Sequence, residues 1–102
     1  MNKNLSIKIP CDLAEILVQV IDLLVSSNYD SDADKLLMAT LGEFRHRLWV
    51  RLGTYRKVYG LRLKPTEAIA LRLMFVLFVT DYTTQLGAWL HDISNRTHKL
   101  LQ

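Results

Sequence analysis

The residues with the clearest chemical potential are the cations between Phe44 and Thr66. This stretch contains seven cations and no acid, whereas the rest of the chain contains six cations and ten acids. Trp49, Tyr55 and Tyr59 are interleaved with these cations. Because basic side chains neutralise phosphates and aromatic rings stack on bases, the pattern predicts a polyanion-binding surface. Its candidate residues are Arg45, Arg47, Arg51, Arg56, Lys57, Arg62 and Lys64.

A second interpretation of the same cations is charge pairing. Asp12, Glu15 and Asp22 form an acidic ridge on the first helix, and the basic segment could face that ridge within the chain or across a dimer. The cations would then stabilise the fold or an assembly without binding a nucleic acid. We favour this interpretation from the sequence and keep nucleic-acid binding as the alternative.

Three aspartates resemble the beginning of a calcium-binding loop. Asp30, Asp32 and Asp34 have the D-x-D-x-D spacing that opens an EF-hand. Position 6 of such a loop would be Lys35 instead of glycine, and position 12 would be Leu41 instead of a bidentate glutamate. The acids are better explained as favourable charges in the first turn of a helix.

The remaining reactive side chains indicate no catalytic or metal site. His46, His91 and His98 are scattered, and the last two lie two helical turns apart on any helix that contains both. Cys11 begins a helix, where the dipole can lower a thiol pKa, but no base is identifiable beside it. We therefore expect no catalytic residue, no metal, no cofactor and no enzymatic activity.

Composition suggests one ordinary globular domain over residues 1–102. Half of the residues are apolar, 23% are charged, and the net charge is only +3. Cys11 is the only cysteine, so an intrachain disulfide is impossible and a cytoplasmic, reducing location is expected. The most apolar run, 68–79, contains Arg72 and is shorter than the roughly 20 residues that span a bilayer, so no membrane span is expected.

The first half of the chain reads as a strand followed by two helices. Residues 5–9 alternate apolar and polar side chains before Pro10, which predicts a short strand with one buried face. The first helix has polar residues in one narrow stripe, and the second begins at a Ser31 cap with Asp34 three residues later. The stripe of the first helix is Asp12, Glu15, Gln19, Asp22 and Ser26. The second helix has apolar positions Leu37, Leu41, Phe44, Leu48 and Leu52, with Tyr55 as a further position at the same spacing beyond an expected end at Gly53 and Thr54.

The second half repeats this order. Residues 59–63 alternate again, and Pro65 opens a helix from Thr66 to Val79 that is apolar nearly all round. Thr80 and Asp81 are expected to cap a fourth helix, although the third and fourth could also form one bent rod. The fourth helix has apolar positions Tyr82, Leu86, Trp89, Ile93 and Leu100, and the expected core or interface positions are Leu41, Phe44, Leu48, Ile69, Leu73 and Leu77.

The likeness of the two halves has two explanations. Residues 7–12 and 61–67 both read as strand, proline, acid and apolar helix, which suggests two strand-helix-helix units whose strands pair as a ribbon. Alternatively, proline and an acid simply begin helices well, and the likeness is coincidental.

One short segment resembles a known family. The alternating strand from Leu5, then Pro10 and the helix start Asp12-Leu13-Ala14-Glu15-Ile16-Leu17, is similar to the beginning of ribbon-helix-helix DNA-binding repressors, whose paired strands enter the major groove. The resemblance covers about thirteen residues. Asn28-Tyr29-Asp30 departs from the helix-to-helix turn of that family, and the first helix is longer, so no functional residues carry over.

The sequence thus predicts a mainly α-helical fold with about four helices in a bundle and a small two-stranded ribbon near residues 5–9 and 59–63. We expect a non-enzymatic protein-interaction or dimerisation module, because the nearly apolar third helix should leave surface for a homodimer. The alternative is a nucleic-acid-binding or regulatory protein that uses the basic segment 45–64.

Overall fold

The structure is a computed structural model that describes residues 4–79, 81 and 83–101, without the side chain at position 101. Its elements follow one another as strand, helix, helix, strand, helix, helix, which confirms the mainly α-helical prediction with a small ribbon. They are β1 (Leu5–Pro10), α1 (Cys11–Val25), α2 (Asp32–Leu52), β2 (Val58–Leu63), α3 (Pro65–Leu77) and α4 (Gln85–Leu101). Among these described residues, no helix is both long enough and apolar enough to cross a membrane.

The two strands pair with each other as an antiparallel ribbon. The Cys11 N–H donates to the Lys57 carbonyl over 2.9 Å, immediately beyond the strand ends. Continuing this register along the ribbon places Ile7 opposite Leu61 and Lys8 opposite Gly60. Alternate side chains of both strands are buried, and those between them are exposed. The buried side chains are Leu5, Ile7, Ile9, Tyr59, Leu61 and Leu63.

The chain divides into two units, which are described separately. The first unit is Ile9–Tyr59, with α1 and α2, and the second contains residues 4–8 and 60–101, with α3 and α4. Each unit therefore combines one helix pair with part of each strand. The assignment of residues 1–102 to a single domain stays a prediction.

Helix α1 shows the polar stripe that its sequence predicts. Asp12, Glu15, Gln19 and Asp22 are all exposed, and Pro10 in an extended conformation precedes the first turn. The buried face is narrower than the apolar part of the helix, because Leu23 and Ile16 also reach solvent. The side chains that α1 buries are Leu13, Ala14, Leu17, Val18 and Ile21.

Helix α2 begins and ends where its sequence indicates. The Ser31 hydroxyl accepts a hydrogen bond from the Asp34 N–H at 3.0 Å, which satisfies one of the free amides of the first turn. The helix ends at Leu52, so Tyr55 lies beyond it and is 75% exposed. Extending the apolar stripe to Tyr55 was therefore wrong. The side chains that α2 buries are Leu37, Met38, Leu41, Phe44 and Leu48.

Helix α3 leaves half of the expected core or interface positions exposed in this chain. Its N-terminus is fixed by Glu67, whose Oε1 accepts from the Lys64 N–H at 2.9 Å. Ile69, Leu73 and Leu77 were expected at core or interface positions, but all three are exposed in this chain. A helix that is apolar nearly all round has no polar stripe to define its phase. The helix instead buries Glu67, Ala68, Ala70, Leu71 and Met74.

Helices α3 and α4 are separate, and the fourth helix starts later than expected. Thr84 precedes α4, and its hydroxyl accepts from the Gly87 N–H at 3.0 Å. A Cβ on Gly87 would collide with the Asp81 carbonyl, so the turn requires glycine there. Asp81 caps no helix and instead closes a turn with Thr83, while Thr80 and Tyr82 lie outside the described residues. In α4, Leu86 and Ile93 are buried, and Trp89 and Leu100 are half-buried.

The buried phase of α2 can be tested with a pair of leucines. Replacing the fully buried Leu48 by alanine should lower the free energy of unfolding by about 2 to 5 kcal/mol, because the cavity cannot close completely. Leu36 lies on the same helix and is 69% exposed, so Leu36→Ala should change it by less than about 0.5 kcal/mol. Urea unfolding of both variants measures the difference. Equal losses would contradict the assigned face.

The turn before α4 should depend on pH. Asp81 Oδ1 accepts from the Thr83 hydroxyl at 2.6 Å and from the Thr83 N–H at 3.0 Å, and these bonds lower the pKa of Asp81 below its ordinary value of 3.8. The stabilisation is therefore present above that value and is lost as pH falls through the lower folded pKa. A carboxyl NMR titration should show Thr83→Ala raising the pKa of Asp81, while Thr83→Ser leaves it low. An unchanged pKa in Thr83→Ala would assign the shift to the backbone amide alone.

Candidate functional site

The seven predicted polyanion-binding residues are spread over both units. Arg45, Arg47 and Arg51 lie on α2, and Arg56 and Lys57 lie in the connection to β2, all within residues 9–59. Arg62 on β2 and Lys64 just before α3 belong to the other unit. All except Arg45 are exposed. The segment is therefore continuous in sequence but contributes to different local surfaces.

Charge pairing with the acidic ridge is seen for Arg45. Its Nε lies 3.2 Å from Asp22 Oδ1, and both residues belong to the unit of α1 and α2. The N–H is not aligned with the carboxylate, so the contact is an ion pair without a well-directed hydrogen bond. A partly exposed pair of this kind contributes only about 0 to 1 kcal/mol. It nevertheless directs Arg45 toward α1 and away from a ligand.

The solvent-facing side of the ribbon brings two cations together. Lys8 on β1 and Arg62 on β2 are both exposed, on the face opposite the buried strand residues. The register places Ser6 opposite Arg62, so Lys8 and Arg62 are diagonal neighbours, with about 7 to 8 Å between them by ordinary sheet geometry. No acid occurs in residues 4–10 or 58–64. We call Ser6, Lys8, Gly60 and Arg62 the ribbon face, and all four belong to the unit of α3 and α4.

Because Gly60 has no side chain, the surface at the middle of the ribbon face projects less than the surface around Lys8 and Arg62. A Cβ at this position would have no heavy atom within 4 Å, so nothing in the described part of the chain requires a glycine there for lack of space. Glycine inside a strand often marks a place where a ligand or another backbone approaches closely. Here its missing side chain exposes the peptide surface opposite Lys8.

Helix α4 holds the backbone of the same strand. The Trp89 indole N–H donates to the Lys8 carbonyl at 3.0 Å, and Arg96 Nη2 donates to the Ser6 carbonyl at 2.7 Å. Arg96 Nη1 also lies 3.7 Å from Asp92 Oδ2. These hydrogen bonds hold the backbone of β1 at residues 6 and 8. The side chains of Ser6 and Lys8 project into solvent from that backbone.

The sequence predicts Arg62 as a candidate residue but does not single out Ser6, Lys8 or Gly60. The basic segment was defined by continuity along the chain, and β1 lies far from it in sequence. A usable signal was present in the alternation of residues 5–9, which already assigns Ser6 and Lys8 to the polar face of a strand. Only strand pairing shows that this face continues through Arg62.

The other candidate groups are distributed over helices α1, α2 and α4. Cys11 is half-buried at the start of α1, with its Sγ 4.0 Å from Glu15 Oε1. His46, His91 and His98 are exposed, and His91 packs against the Phe75 ring. Over the described part of the chain, no three histidine, cysteine or acidic side chains are placed to hold a metal ion.

Comparison with protein-family models, with curated proteins and with solved structures finds no match for this chain. A functional assignment therefore depends on the geometry of its own residues.

Proposed function

We propose that this chain is a non-enzymatic nucleic-acid-binding protein and that the ribbon face contacts double-stranded DNA. The observation that carries the proposal is the exposed pair Lys8 and Arg62 on a ribbon without acids. The major groove of B-DNA is about 12 Å wide and admits a two-stranded ribbon. Arginine and lysine there can contact guanine edges or phosphates, and serine can contact any base.

Charge distribution supports the same surface. Outside residues 9–59 the chain carries seven cations and three acids, whereas residues 9–59 carry six cations and seven acids. The ribbon face therefore belongs to the more positive part of the chain. The missing side chain at Gly60 allows the DNA to approach the ribbon closely, and a larger residue there would block that approach.

The resemblance to ribbon-helix-helix repressors implies paired strands, and β1 pairs with β2 of the same chain. A single chain would thus supply both strands of the ribbon. We also place the protein in the cytoplasm, since its one cysteine suits a reducing compartment.

The DNA proposal is tested by removing the two cations of the ribbon face. In Lys8→Ala/Arg62→Ala, fluorescence anisotropy with a labelled random duplex should show weaker binding. The slope of log affinity against log salt should fall by up to about 2, because each phosphate contact contributes about 0.9. Lys35→Ala/Lys99→Ala is the matched control, since it removes two exposed cations that lie outside both strands and outside the predicted polyanion-binding residues.

Two further variants separate shape from charge. Gly60→Leu should weaken DNA binding without unfolding the chain, whereas Gly42→Leu on α2, which also has open space at its Cβ, should not. Absence of salt-dependent duplex binding by the unmodified protein would refute the proposal. Equal losses in both double variants would show that net charge, and not the ribbon face, is responsible.

A second function, homodimerisation, is supported by an exposed apolar stripe on α3. Ile69, Leu73, Val76 and Leu77 lie at helical spacing and are 37%, 38%, 53% and 52% exposed. A two-fold symmetric contact would let the stripe cover itself in two copies of the chain. The expected interface positions Ile69, Leu73 and Leu77 would then be buried by assembly.

Light scattering at micromolar concentration should give twice the 11.8 kDa mass of the chain. Leu73→Lys should restore the monomer, because a charge at the centre of the stripe cannot be buried without a partner. Leu36→Lys, at another exposed leucine, should leave the dimer intact. A monomeric unmodified protein would exclude this assembly.

A further inference from the structure

A groove runs between the first half of α1 and the end of α2. It has a volume of about 550 Å³, and its lining residues all belong to the unit of residues 9–59. Val18 is buried and Leu52 half-buried, so both form apolar floor. Trp49 and Val50 are 59% and 62% exposed, which is unusual for such large apolar side chains. The lining residues are Glu15, Val18, Gln19, Trp49, Val50, Leu52 and Gly53.

The polar side of this groove is acidic. Among these seven lining residues, all of them described, Glu15 is the one that carries a charge. Asp12 lies one turn before it on the same exposed stripe of α1. The contact between Cys11 Sγ and Glu15 Oε1 is 4.0 Å long, so the thiol binds the carboxylate only weakly. An incoming cation can therefore displace or share this contact.

A groove lined by an indole ring and a carboxylate is suited to one kind of ligand. The ring face attracts a cation, the carboxylate pairs with it, and the apolar floor accepts a hydrocarbon stem. A guanidinium fits better than an ammonium, because it is planar, more weakly hydrated, and able to stack on the ring and bind the carboxylate at once. Arg45, which contacts Asp22 further along α1, does not line the groove.

We propose that this groove is a docking site for an arginine side chain of a protein partner. The arginine lies between Trp49 and Glu15, and the apolar residues that flank it in the partner pack against Val50 and Leu52. Charge complementarity carries the choice of occupant. The groove has an acid and no base, and residues 9–59 hold more acids than cations. Its volume is in the range of ordinary ligand pockets of about 300 to 1,000 Å³, so it accommodates the arginine together with flanking side chains. The site is independent of the DNA proposal.

The test uses the peptide acetyl-Leu-Arg-Leu-amide, titrated into the ¹⁵N-labelled protein in the absence of nucleic acid. The two tryptophans give two indole signals. That of Trp49 should shift saturably, while that of Trp89, whose N–H is bonded to the Lys8 carbonyl, should stay unchanged and serve as an internal control. Acetyl-Leu-norleucine-Leu-amide, which keeps the stem and lacks the charge, should bind about 3- to 10-fold more weakly.

Two exposed acids provide matched variants of the protein. Glu15→Gln should weaken binding of the arginine peptide about 2- to 5-fold. Trp49→Ala should abolish saturable binding, and in that variant binding is followed by the backbone amide signal of Glu15. Glu43→Gln removes an exposed acid of α2 outside the groove lining and should change nothing. Circular dichroism should show that all three variants remain folded.

Several outcomes would overturn the proposal. Equal affinity for the norleucine peptide would make the groove an apolar site without selectivity for cations. Equal binding by Glu15→Gln would remove the carboxylate from recognition, and tighter binding of the corresponding lysine peptide would make the ligand class wrong. Absence of a saturable Trp49 shift up to the solubility limit of the arginine peptide would exclude the site.

Discussion

The pairing of β1 with β2 is the constraint on which the described fold and its candidate site depend. Two strands alone are marginally stable in water and need their apolar face covered. Here all the inward residues of both strands are buried, from Leu5 and Ile7 on β1 to Leu61 and Leu63 on β2. The pairing also joins segments separated by α1 and α2, so the chain must close a long loop before the ribbon forms. The entropy cost of such closure grows only slowly with loop length, and burial of the strand residues offsets it.

The same pairing determines which residues can act as a site. Because side chains alternate with a period of two, a shift of one residue would turn Ile7 to solvent and Lys8 inward. Helix α4 contributes to holding this register. Trp89 and Arg96 donate to the carbonyls of Lys8 and Ser6, which point away from β2 only when those residues occupy their present positions in the ladder. The interactions that stabilise the strand and those that expose its cations are therefore coupled.

The sequence was informative wherever one face of an element differed from the other. The alternation before Pro10 predicts β1, and Ser31 with the stripe through Leu48 gives the start and buried side of α2. For α3 the pattern has no contrast, so Leu73 was expected at a core or interface position although it is exposed in this chain. Which apolar side such a helix buries depends on its neighbours, and those are set by tertiary packing.

The start of α4 and the candidate site show a second limit of sequence reasoning. Thr84 caps the helix because Asp81 is used in the preceding turn, a competition between two good capping residues that local preference does not resolve. Similarly, Arg62 was identified from its basic neighbours in the sequence, but its diagonal neighbour on the ribbon face is Lys8. Strand pairing across a long loop is a non-local property, and a search for contiguous charge cannot detect it.

The mild net charge of the chain conceals two local surfaces of opposite sign. Interactions between exposed charges fade over a Debye length of about 8 Å at physiological salt, so a ligand responds mainly to the side chains near it. Strands β1 and β2 carry Lys8 and Arg62 and no acid, whereas the exposed stripe of α1 that includes Asp12 and Glu15 is acidic. A polyanion and an arginine-bearing partner would therefore select different residues of this chain. The net charge of +3 therefore describes neither surface.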